Sequence, residues 1–94
     1  MDGFDWDKGN KDKNWLKHKV NVKECEEVVL DKNSLQFEDI KHSLIERRLI
    51  VIGKTNKNRI LHISFTVRGE MVRVISARDA DKKERGKYNE QKKS

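Results

Sequence analysis

The sequence predicts an α+β fold: an antiparallel β-sheet with two N-terminal helices and one C-terminal helix. Three observations predict it. Apolar residues gather between positions 49 and 75, much of the stretch in strand-like alternation. Ahead of that region Asp7 and Asn21 each stand where a helix would begin, because their side chains accept first-turn amides. Behind it Asp81, with Glu84 three residues on, repeats the signal.

Phe4-Asp5-Trp6 alternates apolar and polar and suits a short edge strand. Residues 8–18 read as a weak helix, since Gly9 and several Asn lower its propensity, with Trp15 and Leu16 as anchors. Asn21 and Glu24 have capping-box spacing, and Cys25, Val28 and Val29 then share one helical face. Cys25 is therefore expected in the core. Residues 35–37 begin an extended segment, continued as strand and then loop through position 45. Residues 48–54 carry β-branched side chains on both parities, as in an interior strand buried on two faces.

Thr55-Asn56-Lys57-Asn58 is a turn cluster. In the next strand Leu61, Ile63, Phe65 and Val67 should face the core, with His62, Ser64, Thr66 and Arg68 outward. Gly69-Glu70 reads as a two-residue hairpin loop, which sets Thr66 opposite Arg73 and Phe65 opposite Val74. Arg73 then joins Arg68, Thr66 and His62 on one face. Arg73 and Arg78 are five positions apart, so a straight strand puts them on opposite faces. Either the strand ends before Arg78 or only one of the two is catalytic. The last helix has Glu84 and Tyr88 on one face, and the tail from about residue 89 should be frayed.

With 94 residues the chain fits a single domain, 1–94. A formal net charge of +6 favours a polyanionic partner such as nucleic acid. The lone Cys25 gives no disulfide framework and no Cys-based metal site. There is neither a His-x-x-x-His pair nor a Gly-rich phosphate loop followed by Lys, so no cofactor or metal is expected. The N-terminus lacks the basic-then-apolar pattern of a signal peptide, and no apolar run is long enough to span a bilayer. A cytoplasmic protein is expected.

Phe4, Trp6, Asp7, Asn14, Lys17, His18 and Val20 form a spaced N-terminal motif, followed by Arg48 and Ile52-Gly53. Thr66, Arg68, Gly69 and Arg73 lead into Ile75-Ser76-Ala77-Arg78, Ala80, Glu84-Arg85 and Tyr88. Together these resemble the BrnT-type toxins of bacterial type II toxin–antitoxin systems. Two positions depart from the family pattern: Asn10 replaces the usual Lys, and Lys19 the usual Gly after Lys-His. At position 19 a non-Gly residue in the left-handed conformation costs roughly 1 kcal/mol.

The resemblance implies a RelE-like fold and metal-independent endoribonuclease activity that inhibits translation. It also implies neutralisation by a small DNA-binding antitoxin of the BrnA type, in a heterotetramer that meets operator DNA only through the antitoxin.

Cutting RNA without a metal needs a base for the 2′-hydroxyl, cations at the phosphorane and an acid for the leaving 5′-oxygen. Arg68, Arg73 and Arg78 are the leading cations, since a planar guanidinium binds two phosphate oxygens at once. An Arg inside an otherwise apolar strand, as at position 73, needs a reason. His18 is the natural proton carrier, and Lys17 beside it a phosphate contact; a cap or a packed ring is the plainer reading of His18. Glu84 suits a base, an orienting partner for an arginine, or a capping carboxylate. Arg48, Arg68, Arg85 and Tyr88 are candidate RNA contacts, with a solvated sheet edge as the plainer reading of Arg68 and helix anchoring that of Tyr88. His42 and His62 carry no motif and read as surface residues. The competing functions are a non-catalytic RNA- or ribosome-binding module and a protein whose role is to sequester its antitoxin.

Overall fold

Alternating β-branched and aromatic residues assemble a five-stranded sheet in the computed structural model, whose described residues are 3–5, 19–42 and 47–92. The strands are β1 (Gly3–Phe4), β2 (Leu35–Glu38), β3 (Leu49–Lys54), β4 (Ile60–Arg68) and β5 (Met71–Asp79), in the spatial order β1-β5-β4-β3-β2. Helix α1 (Val22–Leu30) packs on one face and α2 (Lys82–Lys92) on the other. The architecture is α+β, as expected. The sheet is mixed rather than antiparallel, because β1 runs parallel to β5 with Phe4 beside Val72. The helix expected at residues 8–18 lies outside the described residues, so one N-terminal helix and one C-terminal helix are seen.

Helix α1 begins where the sequence says it should. Asn21 Oδ1 accepts from the Glu24 amide at 2.8 Å, and Glu24 Oε1 accepts from the Asn21 amide at 3.1 Å. Cys25, Val28 and Val29 are buried against Val51, Leu61, Ile63, Phe65, Val72, Val74 and Ala77. The helix crosses β3 so closely that a Cβ on Gly53 would meet the Val28 carbonyl oxygen at 2.9 Å. Lys19, before the helix, has φ 56°, so the left-handed turn is made there without glycine. Arg59 braces that turn: its Nη1 donates to the Lys19 carbonyl at 2.8 Å and pairs with Glu24 at 3.2 Å, while its Nε donates to Asp79 at 2.6 Å.

The opposite face carries a smaller core of Ile52, Ala80 and Tyr88, flanked by Leu35, Ile50 and Ile60. Here α2 is pinned at Tyr88, whose hydroxyl donates to Asp31 Oδ2 at 2.7 Å. Asp31, the C-cap of α1, also accepts from the Lys54 and Asn33 amides at 2.9 and 3.0 Å. One carboxylate therefore ties together α1, β3 and α2. The helix runs from Lys82 to Lys92.

The expected hairpin register is observed: Gly69 has φ 61°, Thr66 pairs with Arg73 and Phe65 with Val74. Two side chains of β4 depart from simple alternation. Val67 is 39% exposed near the hairpin end, and Thr66, on the outward face, is buried with its hydroxyl satisfied by donating to the Arg47 carbonyl at 2.8 Å. The segment expected as strand and then loop keeps β2 to Glu38 and then carries a short 3-10 helix at Ile40–His42.

Candidate active site on the α2 face of the sheet

Ladder pairing on β5 is interrupted once. Ser64 pairs with Ser76 and Phe65 with Val74, so Ile75 is an extra residue with no partner on β4. Such a bulge resets the alternation of side chains. Val74 and Ala77, three positions apart, are both buried in the same core, which regular alternation forbids. The same reset puts Arg73 (opposite Thr66) and Arg78 (opposite His62) on one face. The first alternative drawn from a straight strand does not apply, since β5 continues to Asp79, and the opposite faces that motivated the second are absent, since both arginines share the face on which α2 lies.

Arg78 is held by α2. Its Nη1 and Nη2 donate to Glu84 Oε1 and Oε2 at 2.9 and 3.2 Å, a two-pronged pairing, and Nη1 also donates to the Asp79 carbonyl at 3.1 Å. Those contacts use the end of the guanidinium and leave its Nε edge for another anion. Glu84 serves the helix as well, exchanging bonds of 2.9 and 2.8 Å with Asp81 in a second capping box. Both readings of Glu84, arginine partner and cap, thus hold at once. Burial alone would raise its pKa, but the Arg78 fork, the Asp81 amide and His62 together hold it below the usual carboxylate value. The group is an anion at neutral pH.

His62, which the sequence left as a surface residue, belongs to this cluster. Its side chain is only 14% exposed, and Nε2 lies 3.4 Å from Glu84 Oε2. Burial lowers its pKa and Arg78 adds to that, against the opposing pull of Glu84; the net value lies below the ordinary 6.5. A neutral imidazole facing a fixed carboxylate is an arrangement suited to accepting a proton. The signal for His62 lay in its parity, shared with Thr66 and Arg73, rather than in any motif.

Arg73 approaches Asp5, beyond the end of β1, at 3.5 Å, and its side chain is 28% exposed. Measured along β4, the rows of Arg73 and Arg78 are four residues apart, about 13 Å at the backbone. Two long guanidinium side chains can close that gap onto one phosphate or two adjacent ones.

The other expected residues are distributed differently. Lys17 and His18 lie outside the described residues. Arg48 is half-buried just before β3, and its carbonyl accepts from the Asp39 amide at 2.8 Å. Arg68 is exposed at the hairpin. Arg85 turns back along α2, donating through Nη1 to the Ala80 carbonyl at 3.0 Å. Tyr88 is 1% exposed with its hydroxyl committed to Asp31, and the Lys54 ammonium lies 5.8 Å from its ring centre. The ring offers no face for a nucleobase, so helix anchoring accounts for it. Among the described residues no group of three or more His, Cys, Asp or Glu side chains is arranged to hold a metal ion, and no helix is long and apolar enough to cross a membrane.

Comparison with known proteins adds one match. Residues 6–84 match the family model described as the ribonuclease toxin, BrnT, of type II toxin–antitoxin systems. The chain matches no curated protein.

Proposed function

The chain belongs to the BrnT ribonuclease toxins of type II toxin–antitoxin systems, and from that membership we propose an endoribonuclease that cuts RNA without a metal ion and so inhibits translation. The observation that carries this reading is the shared face of Arg73 and Arg78, with Glu84 fixing the second arginine from α2. Preorganised cations of this kind lower the barrier to phosphoryl transfer by meeting the charge that develops on the phosphorane.

In the proposed reaction the 2′-oxygen attacks phosphorus, its proton passing to a histidine. The bond to the 5′-oxygen breaks, leaving a 2′,3′-cyclic phosphate and a 5′-hydroxyl. The leaving oxygen takes its proton from Lys17 or from water. Arg73 and Arg78 bind the phosphate oxygens, and Glu84 orients Arg78 rather than acting as the base. His18, from the family motif, and His62, from its place beside Glu84, are the two candidates for proton acceptor. Arg48, Arg68 and Arg85 contribute positive potential along the RNA path.

The fold is read as RelE-like and the protein as cytoplasmic. The partner is read as a BrnA-type DNA-binding antitoxin, joined in a heterotetramer and supplying all contact with operator DNA. The test is incubation of the purified chain with RNA in EDTA. Continued cleavage with cyclic-phosphate ends supports the proposal. Tight binding without cleavage would instead favour a non-catalytic RNA- or ribosome-binding module.

A further inference from the structure

Between the row of Thr66 and Arg73 and the row of His62 and Arg78 runs a third row across the sheet. Ser76 pairs with Ser64, Ser64 with Ile50, and Ile50 with Phe37, one residue from each of β5, β4, β3 and β2. Cross-strand partners share a face, so all four lie on the α2 side. Adjacent strands are about 4.8 Å apart, which makes this row about 14 Å long. Its character changes along that length, from two hydroxyls beside the arginines, through half-buried Ile50, to Phe37, which is 47% exposed. Among the described residues this exposed ring on the sheet edge joins neither core.

That gradient has the order of a nucleotide: phosphate, sugar, base. With the phosphate between Arg73 and Arg78, the sugar lies over Ser64 and Ser76 and the base extends over Ile50 toward Phe37. Aromatic rings stack on unpaired bases of any identity, and such stacking needs a base free of its duplex partner. We propose that Phe37 is the base-stacking residue of this site and that the row Ser76–Ser64–Ile50–Phe37 seats one unstacked nucleotide of single-stranded RNA. The inference rests on the phosphate-binding part of the function proposed above.

The test uses the full chain and two single-stranded RNA oligonucleotides, one cleavable and one with 2′-O-methyl groups throughout. Phe37→Ala should weaken binding of the 2′-O-methyl RNA, and raise KM on the cleavable one, roughly tenfold, with kcat within about twofold. Phe37→Trp should restore binding, whereas Phe37→Leu, which keeps apolar bulk without a ring, should not. Leu30→Ala, removing an apolar side chain 76% exposed at the end of α1, should change nothing. A structural role would restore binding in Phe37→Leu and follow thermal stability instead. If wild type cuts RNA and Phe37→Ala binds and cuts as well as wild type, the stacking proposal is overturned; if that variant has instead lost neutralisation by the antitoxin, Phe37 belongs to the protein interface. If wild type binds the 2′-O-methyl RNA without cutting the other, and Phe37→Ala weakens that binding, the stacking proposal stands and the ribonuclease reading fails. A wild type that neither binds nor cuts overturns both.

Discussion

Arg73 and Arg78 stand five positions apart on β5 yet lie on the same face of the sheet, because Ile75 between them has no partner across the ladder. Were Ile75 instead paired with Ser64 in a regular ladder, Ala77 would leave the core and Ser76 and Arg78 would enter it. Deleting Ile75, by contrast, should be tolerated. Ser64–Ser76 and Phe65–Val74 become consecutive pairs of a regular ladder, both arginines keep their face, and only the half-buried isoleucine is lost. The expected outcome is a folded protein, destabilised by about 1–2 kcal/mol, that still cuts RNA. Circular dichroism melting and a cleavage assay check it; an unfolded deletion variant would mean the bulge is essential to the sheet.

Glu84 joins the stability of the site to pH. Its folded pKa lies below the ordinary value near 4.5, so its contribution is complete above that pH and is lost as the pH falls through the folded value. His62, also lowered, favours the folded state above its ordinary 6.5 and loses that effect as the pH falls from there. Acid should thus weaken the protein first through His62 and then through Glu84. In melting curves from pH 7 to pH 3, the stability gap between wild type and Glu84→Gln should be full near neutrality and narrow below about pH 4.5. A gap that widened on acidification would refute this account of Glu84.

Tyr88 separates anchoring from RNA contact. Tyr88→Phe keeps the buried ring but removes the donor to Asp31, a bond to a charged group worth about 1.5–3 kcal/mol. Thermal stability should fall by that amount while RNA cleavage by the folded variant stays within about twofold of wild type. A loss of cleavage without loss of stability would return Tyr88 to the RNA path.

Where function followed local pattern, the sequence was readable. The Asn21–Glu24 box, the core face of Cys25, Val28 and Val29, and the Gly69-Glu70 hairpin all depend on residues close in the chain, and all are observed. The positive φ expected at Lys19 is observed too. Long-range choices were harder to read. The parallel pairing of β1 with β5 joins residues nearly 70 apart, and no local spacing reports it. The bulge did leave a trace, since Val72 and Val74 followed by Ala77 is a phase break of one residue. Parity placed His62 on the face of Arg73, but its pairing with Glu84 became visible only once α2 was docked, because that docking is set by Tyr88 and Ile52 rather than by anything near position 62.

The central claim is that Arg73 and Arg78 act together on the scissile phosphate from one face of the sheet. Its most direct test is the cleavage rate of Arg73→Ala, Arg78→Ala and the double variant, each confirmed folded by circular dichroism. Each single variant should lose roughly 100-fold or more, and the double variant should lose much less than the product of the two, as groups serving one transition state do. Single variants that cut at the wild-type rate would contradict the account and move the site elsewhere on the molecule.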